Sequence, residues 1–265
     1  MSTPDDLSRR QTLAILAASA LSAVAATPAG AQPSRPTSAT FVLVHGAWHG
    51  GWCWTKLAPL LRAAGHQVFT PTLTGLGERA HHLGPDVDLA THVQDVAAVL
   101  EYEDLRDVIL VGHSYGGMVI AGVASHAPDR VAQLVYLDAF VPEDGKAVRD
   151  YAQLAPARAD GWRVPPPATP QQFGVANERD AAWVAQRLGD QPIKTFTQPI
   201  HMPRSLAGSH QAFIQCTASP WFAEAAERSK RRGYRYHALL SARHDAMLSQ
   251  PKELAAILLA LAARV

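Results

Sequence analysis

Cysteine, net charge and long apolar runs are all scarce in this chain, and each shortage excludes something. Cys53 and Cys216 are the two cysteines among 265 residues, so at most one disulfide can exist. The strands expected to carry them are not neighbours, and both thiols are expected to be buried as small apolar groups. Lys and Arg number 24 against 23 Asp and Glu, a net charge of +1, and the basic residues form no sustained cluster. The densest run, "SKRRGYR" at 229–235, reads as the end of a solvated helix. Neither nucleic acid nor an acidic polymer is expected as a partner. An Ala/Leu stretch near the N-terminus is short of the ~20 strongly apolar residues that a membrane span needs. There is no internal repeat.

What the chain does have begins with that stretch. "SRRQTLAILAASALSAVAATPAGAQ" pairs Arg9 with Arg10, continues with Ala and Leu, and reaches small residues at Ala29-Gly30-Ala31. This is the order of a twin-arginine (Tat-type) export signal over residues 1–31, cleaved near Gln32. It predicts a bacterial periplasmic or secreted protein, with no stable membrane association once the signal is removed. A Pro/Ser/Thr linker over 32–39 leads into a domain over 40–265. Hydrophobic residues make up 48% and charged residues 18%, enough apolar material for one sizeable core.

Strand-like and helix-like runs then alternate. "TFVLVHG", "QVFTPTL", "DVILVGHS", "VAQLVYLDAF", "QAFIQCT" and "YRYHALL" read as six strands, several of them almost continuously apolar. "TKLAPLLRAAGH" reads as a helix capped by Gly65. Leu89, Val93, Val96 and Leu100 recur at helical spacing, and "PKELAAILLALAARV" is a terminal helix. Strands separated by helices of this length predict an α/β fold: a mostly parallel central sheet flanked by helices on both faces. The alternation breaks over about 141–205, where prolines cluster beside short helix-like pieces such as "ERDAAWVAQRLG". That insertion is too long for a plain loop and is expected to form a cap over the active end.

Gly-His-Ser-Tyr-Gly at 112–116 is an instance of G-x-S-x-G, set between an apolar run and a helix rich in Gly and Ala. In that context the turn strains the serine backbone and lifts its hydroxyl above the sheet, while glycines leave room for neighbouring chain. Ser114 is the candidate nucleophile, and the Tyr115 N–H is a candidate oxyanion donor. A serine needs a base. In this strand-turn-helix arrangement the histidine comes last in chain order, which selects His244, in the loop before the terminal helix. His113 is assigned to packing, and His201, in the expected cap, is a candidate substrate contact. The third member orients the imidazole and belongs at a strand end between the two. "QAFIQCTASP" offers only Ser219, whereas "VYLDAF" puts Asp138 at a carboxyl end beside the nucleophile strand. Glu143 and Asp144 are the substitutes for it. Asp245, adjoining His244, reads as a loop or helix-cap residue, though it stays next in line. "HGAWHGGW" follows the first strand and supplies a second oxyanion donor, the N–H of Ala47. Trp48, Trp52 and Trp54 are divided between pocket and core.

In order along the chain, "FVLVHGAWHGGWCWTKLAPLLRAAGHQVFTPTLTGLG", "VILVGHSYGGMVIAG", "LVYLDAFVPEDG" and "HDAMLSQP" resemble the α/β-hydrolase superfamily. More narrowly they resemble the branch holding methyl-salicylate-type esterases, hydroxynitrile lyases and bacterial relatives. The resemblance covers most of the chain outside the signal and part of the cap. It implies an α/β-hydrolase domain over 40–265, with Ser114 and His244 as nucleophile and base and the Ala47 and Tyr115 N–H groups as oxyanion hole. The plant esterases carry their acid on the strand before the histidine strand, where this chain has "CTASP", and a small neutral residue at the position of Asp138. The acid is thus expected one strand over. Arg243 stands where relatives often have glycine. The lyases place a lysine directly after the histidine and a threonine in the first strand-loop, where this chain has Asp245 and Gly46. The expected function is hydrolysis of a small-molecule carboxylic ester through an acyl-enzyme, with no metal or organic cofactor. An amidase or C–C hydrolase is the alternative, and a hydroxynitrile lyase is less favoured.

Overall fold

Runs of β-branched and aliphatic residues set the frame of the computed structural model, which describes residues 38–206 and 210–264. The expected export signal and most of the expected linker lie outside the described residues. In chain order the elements are β1 (Thr40–Val44), α1 (Ala58–Ala63), β2 (Gln67–Phe69), α2 (Leu89–Tyr102), β3 (Val108–His113), α3 (Gly116–His126) and β4 (Val131–Leu137). A long segment follows with only small elements: β5 (Arg163–Val164), α4 (Pro170–Phe173), α5 (Glu178–Ala185), β6 (Gln191–Pro192) and α6 (Lys194–Thr197). The chain then returns through β7 (His210–Cys216), α7 (Ala223–Arg231), β8 (Arg235–Leu239), α8 (Ala246–Ser249) and α9 (Pro251–Ala262).

Six strands form one sheet in the order β2-β1-β3-β4-β7-β8, and every pairing in it is parallel. Successive side chains of a strand point to opposite faces, and here both faces are apolar. Val42, Leu110, Leu134 and Phe213 join a core with α2 and α3. Phe41, Ile109, Val135 and Ile214 join a second core with α1 and α9. Each fully buried aliphatic or Phe side chain contributes about 1.5–3 kcal/mol. These two cores fix the strand register that aims the carboxyl ends of β1, β3 and β4 at one place.

Helix ends follow local chemistry. Asp88 caps α2 by accepting from the Thr91 N–H at 2.8 Å. After α1, Gly65 takes a φ of +92°, and the N–H groups of Gly65 and His66 donate to the carbonyls of Arg62 and Leu61. The structure trims several expected strands, β2 the most: it stops at Phe69, because Pro71 has no N–H to extend the ladder. It also adds a small antiparallel pair, β5 with β6, inside the β4–β7 segment. Cys53 and Cys216 are free and buried. Among the described residues no helix is long and apolar enough to cross a membrane.

Candidate active site

The turn from β3 into α3 is built by close backbone approach. A methyl group at Gly112 would lie 2.6 Å from the Gly116 carbonyl oxygen, and one at Gly116 would lie 2.6 Å from that of Val44. Neither position can hold even alanine without a shift. Between them Ser114 has a φ of +53°, a left-handed conformation that costs on the order of 1–3 kcal/mol in a non-glycine residue. The end of β4 holds it there. The Ser114 N–H donates to the Leu137 carbonyl at 3.2 Å, and its own carbonyl accepts from Gly117 and Phe140 at 3.1 and 3.2 Å. The Tyr115 side chain is buried away from this turn, its hydroxyl donating to His92 Nδ1 at 3.0 Å. What Tyr115 presents beside Ser114 is backbone at the start of α3.

His244 comes from the loop between β8 and α8. Its Nδ1 donates to Asp138 Oδ2 at 2.7 Å, with both side chains buried. Asp138 follows β4 with a φ of +42°, and its N–H donates to the Ile214 carbonyl at 2.8 Å. The imidazole stacks on Phe222 and meets the edge of Trp221. The other carboxylates weighed for this place are engaged elsewhere. Glu143 pairs with Arg232, Asp144 accepts from the Met202 N–H, and Asp245 accepts from His49.

Ala47, Ser114, Tyr115 and His244 line a single cavity of about 320 Å³. Aromatic side chains dominate the remaining wall, among them Trp48, Phe140, Phe173 and Trp221, and among the described residues the lining includes no Lys, Arg, Asp or Glu. No hydrogen bond joins Ser114 Oγ to His244 among the described residues. Such contacts are often long in unliganded enzymes and tighten with substrate. Trp54 is core, and His201 lines a different cavity. A larger cavity, about 760 Å³, opens beside Arg204, Arg232 and Tyr234 and contains neither Ser114 nor His244.

Four more buried histidines surround this centre, and their hydrogen-bond partners give their charge. His45 donates from Nδ1 to the Gly46 carbonyl and accepts at Nε2 from the Leu73 N–H. Burial lowers its pKa to about 3. His92 likewise accepts from Tyr115 and donates to the Thr74 carbonyl, and burial lowers it to about 4. His113 donates to the His244 carbonyl at 3.1 Å, and burial holds its pKa well below the usual range. His49 differs. Its Nδ1 faces the Ala47 carbonyl at 2.7 Å and its Nε2 faces Asp245 Oδ2 at 3.1 Å, both acceptors. Burial by itself would lower this group, but the charge and hydrogen bond of Asp245 and the bond to Ala47 outweigh it and raise the pKa.

Sequence reasoning missed this second His–Asp pair. It left His49 unassigned and read Asp245 as a loop or cap residue. Asp245 does stand at the N-cap of α8, but its side chain makes no cap bond and turns to His49 instead. The available signal was two polar residues in apolar surroundings, "GAWHGGW" and "HDAML". One group, His113, His244 and Asp245, brings three potential metal-ligand atoms within 4.8 Å of one another. Hydrogen bonds to the His244 carbonyl, to Asp138 and to His49 already engage those three side chains.

A parallel sheet with a serine turn and a buried His–Asp pair at its carboxyl edge defines a class of hydrolase, and the comparisons agree. The model of the alpha/beta hydrolase family matches residues 41–257, and the chain belongs to that family. It is 41% identical to a carbendazim hydrolyzing esterase of Nocardioides sp. (strain SG-4G), across 84% of this chain and 99% of that one. Salicylic acid-binding protein 2 of Nicotiana tabacum is also 41% identical, but across 39% of this chain and 40% of that protein. An extracellular alpha/beta-hydrolase from a Paenibacillus species superposes with a TM-score of 0.72 at 24% identity, covering 84% of this chain and 98% of that one. The last is a likeness of fold.

Proposed function

We propose that the chain hydrolyses small, uncharged carboxylic esters through an acyl-enzyme, with Ser114 as nucleophile, His244 as base and Asp138 as the acid that orients it. It is a carboxylic-ester hydrolase. The observation that carries this reading is the buried 2.7 Å hydrogen bond from His244 Nδ1 to Asp138 Oδ2, in a cavity that His244 shares with Ser114. His244 takes the Ser114 proton as the hydroxyl attacks the ester carbonyl, and Asp138 stabilises the imidazolium that forms. The N–H groups of Ala47 and Tyr115 receive the oxyanion. His244 then protonates the departing alcohol, and a water activated by the same ring cleaves the acyl-serine. The β4–β7 segment acts as the cap, supplying Phe173 and Phe196 to the cavity wall. An aromatic wall without charged side chains favours a neutral substrate, aromatic rings included.

Two features weigh against a hydroxynitrile lyase. Asp245 occupies the place where a lyase has its cyanide-stabilising lysine, and its carboxylate is turned into the His49 pair. Gly46 occupies the threonine position, where a side-chain carbon would come within 2.9 Å of His113 and 3.0 Å of Ser114. Amide or C–C cleavage remains the alternative for the same residues.

The test is rapid mixing with p-nitrophenyl acetate. The expected result is a burst of p-nitrophenol equal to the enzyme present, with an acetyl mass increment on the peptide carrying Ser114. Ser114→Ala abolishes both. Turnover that survives Ser114→Ala sinks the reading. A panel of aromatic methyl esters, with carbendazim included, then ranks the substrates. Export through residues 1–31 belongs to the same proposal: replacing Arg9 and Arg10 with lysine retains the protein in the cytoplasm if it is right.

A further inference from the structure

Ala47 is a useful oxyanion donor only if the chain on both sides of its Cα is held, and the residue after it has a strained backbone. Trp48 has a φ of +65°, a conformation that a bulky side chain avoids. Three hydrogen bonds from the β4–β7 segment meet this one residue. Its N–H donates to Gln191 Oε1 at 3.1 Å, its indole Nε1 donates to the Val164 carbonyl at 3.0 Å, and its carbonyl accepts from the Gly189 N–H at 3.0 Å. Gln191 is itself fully buried and locked, since its Nε2 donates to Thr195 Oγ1 at 2.8 Å. The other end of the same peptide is gripped from below. The Ala47 carbonyl accepts from His49 Nδ1, and His49 is held in turn by Asp245, the residue after His244.

We propose that Gln191 and His49 are positioning residues that clamp the Ala47–Trp48 peptide from its two ends, so that the oxyanion hole is set jointly by the cap segment and by the loop that carries the base. Gln191 fixes the N–H end and His49 the carbonyl end. Neither touches the reacting atoms; the Ala47 N–H belongs to the preceding Gly46–Ala47 peptide, whose carbonyl accepts from His45 Nδ1 at 2.8 Å, and the clamp acts on its aim through the Ala47 Cα that the two peptides share. Asp245 couples this setting to His244 through the chain. The proposal rests on Ala47 being an oxyanion donor, as assigned above.

A misaimed donor damages the transition state more than substrate binding, so the test separates the two. p-Nitrophenyl acetate turnover gives kcat and KM, and 2,2,2-trifluoroacetophenone, which forms a serine hemiketal with an oxyanion, reports the hole directly. In Gln191→Met, kcat is expected to fall about 10- to 100-fold with KM nearly constant. The inhibitor should weaken by a similar factor. Gln191→Glu keeps an oxygen acceptor for the Trp48 N–H and is expected to recover most of that loss. Asp245→Asn keeps an acceptor for His49 but removes the charge, and a smaller parallel loss of kcat and inhibitor affinity is expected. It also carries the test if Gln191→Met does not fold, as judged by circular dichroism. Folded Gln191→Met with unchanged kcat and inhibitor affinity overturns the clamp, as does a loss confined to KM. Wild-type turnover that survives Ser114→Ala overturns instead the site on which the clamp rests.

Discussion

Two histidine–aspartate pairs lie side by side in this protein, His244 with Asp138 and His49 with Asp245, and both are buried. His244 and Asp245 are even consecutive in the chain. They differ in where the second ring nitrogen goes. His49 spends both nitrogens on oxygen acceptors, Ala47 and Asp245, so its proton has no vacant partner and the pair is a strut. His244 binds Asp138 through Nδ1 and lines the cavity with Ser114. A buried His–Asp pair is therefore not a catalytic signature in itself; an imidazole becomes a base when one nitrogen is left for the reacting atoms.

The largest expected contrast comes from removing charge on the first pair. Asp138→Asn should lower kcat about 10⁴-fold, because the imidazole is held in the wrong tautomer, with little change in melting temperature. Stopped-flow kinetics and calorimetry on one preparation measure both. Asp245→Leu should act mainly on stability, with a kcat loss far short of ~10⁴-fold. Stranding His49 without its partner costs about 3–5 kcal/mol, or roughly a 10 °C fall in melting temperature for a domain of this size. The pH–rate profile of what remains folded should keep the same base limb. If Asp245→Leu erases that limb instead, the two pairs are not separable.

The smallest effect is the pH dependence of stability, and its two limbs have opposite sign. His45, His92 and His113 are held neutral by burial. Below the ordinary histidine value of about 6.5 the unfolded chain binds protons that these three refuse, so stability falls as pH drops. Each contributes about 1.4 kcal/mol per pH unit until its folded pKa is reached. His49 is raised, so its contribution is complete below that ordinary value and is lost as pH rises through its folded pKa. Urea unfolding across pH should therefore show a steep acid limb and a shallow alkaline one. Asp245→Asn should flatten the alkaline limb and, because burial then lowers His49 as well, steepen the acid one.

The two pairs also differ in how far the sequence reveals them. The strand–turn–helix around Ser114 is local: its glycines, apolar run and small-residue helix lie within residues 108–126. Asp138 and His244 stand at ends of runs whose order is set by parallel crossovers, so their convergence can be read from topology. The same alternation made the six-stranded sheet legible, because strands covered on both faces are apolar almost throughout. His49–Asp245 spans 196 positions and has no periodicity or motif to announce it. The Trp48 conformation is equally silent, since nothing in the sequence marks a tryptophan with positive φ. The β5–β6 pair, with strands of two residues each, is too short to leave a pattern.

The fusion of wall and clamp in the β4–β7 segment has a consequence for redesign. Lengthening a flexible connection is cheap, about 0.6 kcal/mol per doubling, and this one joins two strands that pair directly in the sheet. It is the natural place to exchange sequence for a new substrate range. Yet Val164, Gly189 and Gln191, which hold Trp48, lie in the same stretch as Phe173 and Phe196, which shape the cavity. A graft that replaces the whole segment would alter turnover along with selectivity. One that keeps those three anchor positions and varies the residues around them can retune the two separately.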